Sequence, residues 1–307
     1  MENKKFSDPN ITAKGEKRAS VVLGALSTLW FNTGTLCNLS CNNCYIESSP
    51  RNDRLLYLTV EDVDVYLQEI KQHKLATQEI GFTGGEPFMN PSIIDILAVT
   101  LSQGMRVLVL TNAMKPMQRR KQELLTLQSK YPDQLTIRVS VDHYTQVLFD
   151  QERGKGAWEK MLVGLQWLIG HQFRVDIAGR LKWKETENEV RNGFAKFFAH
   201  KDIPLDAYDR KVLTLFPEMD ANKDVPEITE SCWDILKVDP ASMMCASSRM
   251  IVRHKGEKHP SVMACTLLAY DRQFDLGRSL KTAQKRVQLN HRHCSSFCVL
   301  GGGTCSA

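Results

Sequence analysis

Cys37, Cys41 and Cys44 stand in the spacing C-x3-C-x2-C, just after an apolar run that ends at Phe31. Thiolates this close converge on one small object, and soft sulfur ligands select zinc or an iron–sulfur cluster. A structural zinc ion wants a fourth ligand nearby, from another C-x2-C or a His pair. The nearest histidine after the motif is His73, inside a predicted helix. Three thiolates leave one iron of a [4Fe–4S] cluster without a protein ligand, and a chelating cofactor uses such a vacancy. The rival reading is a zinc knuckle or plain buried thiols.

One βα unit later comes Gly84-Gly85-Glu86-Pro87, at the end of a strand pattern. Glycines there let backbone approach a ligand closely. Exposed amides and carbonyls, with Glu86 beside them, suit an amino-acid head group. Alone this is a common turn; behind the cysteine motif it gains meaning. Together the two motifs resemble the radical S-adenosylmethionine (SAM) superfamily. The resemblance implies that Cys37, Cys41 and Cys44 hold a [4Fe–4S] cluster and that Gly84, Gly85, Glu86 and Pro87 meet the SAM amino group. It also implies the superfamily's shared step, reductive cleavage of SAM to a 5′-deoxyadenosyl radical that abstracts a substrate hydrogen. One departure stands out: the family usually places an aromatic before the third cysteine, where this chain has Asn43, so Tyr45 is expected to supply that contact.

These residues need a scaffold, and strand and helix patterns alternate as in βα units on a parallel sheet. Strands are predicted at 28–32, 79–83, 106–111, 135–141, 174–179 and 212–216. Thr59 caps a first helix with Val63, Leu67 and Ile70 as its apolar stripe. Further helices are expected over 92–103, 115–130, 157–171 and 185–200. The fold class is therefore α/β, a partial (β/α)6 TIM-like barrel spanning 21–217, after a tail or lead-in of residues 1–20. Barrel enzymes place their sites at the C-terminal ends of strands. Asn112, Ser140, Asp142 and Arg180 occupy such ends. Ser140 and Asp142 resemble the family's ribose-contacting strand, and Arg180 is a partner for the SAM carboxylate. Each also has a bland reading as a turn, a satisfied hydroxyl, a helix cap or a solvated end.

Residues 218–307 form a small cysteine-rich module in this reading. Nine cysteines, an odd number, argue against a disulfide framework. Cys245 and Cys265 flank an expected hairpin (249–253 and 261–264), and a helix is expected to end at Cys294 and Cys298. The arrangement resembles the twitch module, the shortened relative of the SPASM domain, which holds one auxiliary [4Fe–4S] cluster. Cys245, Cys265, Cys294 and Cys298 are then its ligands, with x3 rather than x2 between the last pair and with Cys232 and Cys305 extra. Structural zinc and inert core thiols are the alternatives.

A balance of 42% apolar and 24% charged residues excludes general disorder. A net charge of +5 without a long basic run gives no polynucleotide footprint. The apolar run 21–31 is too short to span a membrane, so a cytoplasmic protein with reduced thiols is expected. The resemblance adds a flavodoxin- or ferredoxin-type electron donor. Two substrates remain open: a small metabolite, oxidised with the auxiliary cluster as electron acceptor, or a ribosomal peptide. The short N-terminal lead-in tilts the sequence reading to the metabolite. A non-catalytic iron–sulfur scaffold or sensor is a third reading, against which the Gly84–Pro87 motif speaks.

Overall fold

A computed structural model of the chain describes residues 4–220 and 222–304. In chain order its strands are β1 (Ser20–Val21), β2 (Thr28–Asn32), β3 (Glu79–Thr83), β4 (Arg106–Thr111), β5 (Leu135–Asp142), β6 (Arg174–Leu181), β7 (Leu213–Pro217), β8 (Ser248–Val252), β9 (Ser261–Met263) and β10 (Val287–Gln288). Strands β7-β6-β5-β4-β3-β2 lie side by side in sequence order, all parallel. The six expected barrel strands are all present. The fold is α/β, a partial TIM-like barrel.

Parallel strands need both faces covered. Helices α1 (Val60–Gln72), α2 (Ile93–Ser102), α3 (Lys115–Gln118), α4 (Lys121–Lys130), α5 (Gln146–Arg153), α6 (Ala157–Gly170) and α7 (Glu187–His200) lie between successive strands. The Thr59 side chain accepts from Asp62 N and the Asp62 side chain accepts from Thr59 N, a complete capping box that starts α1. Val63, Tyr66, Leu67 and Ile70 form its buried stripe.

Two helix expectations are corrected. The span 115–130 breaks into α3 and α4. Met117, Leu124 and Leu127 are buried; an unbroken helix would put Arg120 or Lys121 on that same stripe. The break keeps these cations out of the core. Helix α5 was not foreseen. Only Phe149 and Glu152 are buried on it, so its inward face reads from sequence as a solvated one.

The hairpin lies where expected, but it continues the barrel sheet. β8 runs parallel beside β2, pairing Thr28 with Ser248, and β9 returns antiparallel. The expected long helix before Cys294 is replaced by turns and β10, which pairs with β1. Val287 and Leu289 are buried either side of half-buried Gln288, the period of a strand. The lead-in is also tied down: buried Arg18 donates to Glu227 at 2.6 Å. Among the described residues no helix is long and apolar enough to cross a membrane.

Candidate active site

At the C-terminal ends of β3 to β7 opens a cavity of about 180 Å³. Cys37, Cys41 and Cys44 line it, on the loop that leaves β2. That loop is closed at its base by Cys37 N donating to Ser49 O at 3.1 Å. It is seated on the next loop by Gly85 N to Gly34 O, 2.8 Å, and Glu86 N to Leu36 O, 3.1 Å. The approach is so close that a Cβ on Gly85 would lie 2.2 Å from Leu36 O. These two amides therefore hold the cysteine loop and are not free for a ligand, a correction to the expected role. Gly84 and Gly85 still line the cavity.

Glu86 and Pro87 do not line it. Both are buried, with Pro87 opening a short 3-10 turn. The Glu86 carboxylate accepts from Thr111 Oγ1 and Asn112 N, each at 2.8 Å, and from Phe88 N at 3.2 Å. It clamps the end of β3 to the end of β4. Burial pushes its carboxyl up to about 7, against these three donors. Asn112 lines the cavity, but its side chain is committed to Asn38 Oδ1 at 2.9 Å.

Strand β5 ends in a bulge, where Ser140 opposes Ala178 and Asp142 opposes Gly179. Ser140 and Asp142 both face the cavity. The Ser140 hydroxyl makes no hydrogen bond among the described residues, and neither does the buried hydroxyl of Ser48 beside Cys44. Asp142 sits at φ 38° and is paired with Arg153, a residue that sequence reasoning missed. Arg153 lies on α5, whose charged inward face gave no signal. Two of its nitrogens are spent on Asp142; Nη1 is not. Arg180 reaches the cavity wall but already serves Glu218 at 3.1 Å, Glu152 at 3.6 Å and the Asn43 carbonyl at 3.4 Å. Asn43 donates to Glu152 at 3.2 Å. The position where the family prefers an aromatic thus anchors the cysteine loop to α5 instead. Tyr45 lines the cavity, 37% exposed.

The donor chemistry fits a cluster with SAM. Three soft ligands share one wall, and unpartnered hydroxyls and a guanidinium nitrogen share the same space. Burial pushes the Cys37 thiol up to about 12 and raises Cys41 as well, so a bound metal is what holds these sulfurs as thiolates. Among the described residues no three His, Cys, Asp or Glu side chains, at either set of cysteines, are gathered closely enough to hold a single ion.

A second, smaller pocket is lined by Cys245, Cys265, Cys294 and Cys298, the four expected cysteines. Cys294 and Cys298 lie one turn apart on a π-helix, Cys294–Val299. With i→i+5 bonding, residues four apart share a face, which accounts for the x3 spacing. His293 lines the pocket too, and its buried Nδ1 has no hydrogen-bond partner among the described residues. Cys232 does not line it; its sulfur lies against Thr229 Oγ1 at 3.3 Å. Cys305 falls outside the described residues. Leu267 lines both pockets.

Comparisons with known proteins agree with this architecture. The antilisterial bacteriocin subtilosin biosynthesis protein AlbA of Bacillus subtilis is 28% identical over 194 residues, 61% of this chain. The chain spans 41% of that protein's length. Streptococcus suis SuiB bound to S-adenosylmethionine has the same fold, with TM-score 0.58 and 14% identity over 83% of this chain and 64% of SuiB. So does anSMEcpe with bound AdoMet, with TM-score 0.58 and 13% identity over 88% of this chain and 82% of that one. The family model described as the radical SAM superfamily matches residues 31–189, just over half of the chain and both motifs, and the chain belongs to that superfamily.

Proposed function

We propose that this radical SAM enzyme matures a peptide. The observation that carries the reading is its relationship to AlbA, a bacteriocin biosynthesis protein. The fold shared with SuiB, which has been crystallised with its precursor peptide SuiA, is consistent with it. That relationship favours the peptide over the small metabolite expected from the sequence.

Bound in the larger cavity, SAM and its [4Fe–4S] cluster supply a 5′-deoxyadenosyl radical. The protein's part is to bind, orient and exclude water. Cys37, Cys41 and Cys44 would hold the cluster. Arg153 Nη1 would meet the SAM carboxylate, Ser140 the ribose hydroxyls, and the Gly84 backbone the amino group. Phe216, Met219, Leu267 and Phe297 form an apolar wall that keeps the reacting C–H bond dry. Cys245, Cys265, Cys294 and Cys298 would hold an auxiliary cluster behind Leu267. Fully ligated by cysteine, such a cluster would have no open iron and would supply electron transfer, which suits an oxidative modification. Removal of two hydrogens from the peptide would balance as one hydrogen atom to 5′-deoxyadenosine plus a proton and an electron, for which the auxiliary cluster would supply the acceptor.

The test is coexpression with a short peptide encoded beside its gene. The peptide should lose a pair of hydrogens in mass. Cys37→Ala should abolish both that loss and 5′-deoxyadenosine formation; Cys294→Ala should abolish the mass loss and spare uncoupled SAM cleavage. An unmodified peptide alongside an oxidised small metabolite would overturn the peptide reading.

A further inference from the structure

Four arginines of the described chain are buried: Arg18, Arg138, Arg191 and Arg249. Three have an acid: Arg18 pairs with Glu227, Arg138 with Asp176 and Arg191 with Glu187. Arg249, on β8 and 1% exposed, has none among the described residues. Its guanidinium donates only to carbonyl oxygens: Cys245 at 2.6 Å, Ser248 at 2.8 Å, Ala283 at 2.9 Å and Lys285 at 3.3 Å. Carbonyl dipoles solvate a cation but do not neutralise it. An uncompensated buried charge is among the costliest features a fold can carry.

The missing anion has an evident place. Arg249 follows Cys245 by four residues and holds its carbonyl. The carbonyls of Ala283 and Lys285 belong to the segment whose Val287 lines the four-cysteine pocket. Loaded with metal, that pocket would gather four thiolates, a negative centre in a wall otherwise made of Met, Ala, Val, Leu and Phe side chains and the ring of His293.

We infer that Arg249 is the built-in counter-charge of the metal–thiolate group held by Cys245, Cys265, Cys294 and Cys298. The inference rests on the auxiliary-cluster reading. It adds a consequence which that reading lacks. A fixed cation beside a cluster favours its more negative, reduced form and so raises its potential. Arg249 thereby suits the cluster to accept an electron from the neighbouring cavity.

The experiment compares wild type, Arg249→Lys and Arg249→Gln after anaerobic reconstitution, with three readouts. These are iron and zinc per chain, an EPR-monitored redox titration, and melting temperature with and without metal. Arg249→Gln should reduce about tenfold less cluster at a given potential, a downward shift of about 59 mV for one electron. The gain in melting temperature on loading should also shrink. Arg249→Lys should stay near wild type. Failure of Arg249→Gln to take up the second cluster, while it folds metal-free and the Lys variant loads, would also support the counter-charge. Unchanged potential and unchanged gain in Arg249→Gln, with about eight irons per chain, would overturn the inference alone. So would a Gln variant that cannot fold even metal-free where the Lys variant folds. About four irons in the wild type, with or without zinc, would instead remove the auxiliary-cluster reading.

Discussion

Arg153 clasps Asp142 through two hydrogen bonds, Nε to Oδ2 at 2.6 Å and Nη2 to Oδ1 at 3.1 Å. The pair joins α5 to the end of β5 in the wall of the cysteine-lined cavity. Burial alone would raise the Asp142 carboxyl, yet the charge and hydrogen bonds of Arg153 hold it below the usual carboxylate range. The stabilisation is therefore present above about pH 4 and is lost as pH falls through the depressed value.

Asp142→Asn leaves a buried guanidinium without its anion and should cost about 3–5 kcal/mol in urea unfolding. Replacing both partners, as Asp142→Leu with Arg153→Met, should recover much of that loss. SAM affinity, followed by equilibrium dialysis, should not recover, since the nitrogen proposed to meet the SAM carboxylate is gone. Recovery of both would make the pair purely structural.

Gly85→Ala should separate the cysteine loop from the loop that follows β3, both of which line the cavity. The added Cβ would lie 2.2 Å from Leu36 O and 2.7 Å from Thr35 O, and both are backbone atoms that cannot swing aside. The variant should lose about half of the iron bound after reconstitution while the second set of cysteines stays loaded. Gly170→Ala, where a Cβ meets nothing within 4 Å, is the control and should bind iron like the wild type. Full iron content in Gly85→Ala would refute the close-approach argument.

Glu86 sets a pH dependence of its own. Its folded carboxyl sits at about 7, raised by burial from 4.5. Between those values the folded chain binds more protons than the unfolded one, so this contribution to stability falls as pH rises. Glu86→Gln should flatten that part of the curve, measured as urea unfolding free energy at several pH values. Parallel curves for the two proteins would show that Glu86 does not titrate there. Glu86→Ala, which orphans the Thr111 hydroxyl and the Asn112 and Phe88 amides, should cost about 1–3 kcal/mol for each donor left buried.

Much of this protein was legible in its residues alone. Apolar period and turn residues are local properties, and they located all six barrel strands and the first capped helix. Thiol spacing is local too, and it singled out Cys37, Cys41 and Cys44 and the four cysteines behind the barrel. What escaped were pairings between residues remote in sequence. Arg180 looked like a free carboxylate clamp but faces Glu152 and Glu218, because α5 and the exit of β7 flank the end of β6. Arg153 gave no signal in the sequence, yet the bulge of β5 brings Asp142 to it. The hairpin at 248–263 looked like part of a separate module until β8 was found beside β2. Periodicity says which side of an element is buried. Only the order of the strands decides which buried charges meet, and a buried cation with no acid among the described residues, as at Arg249, shows only when every neighbour is in place.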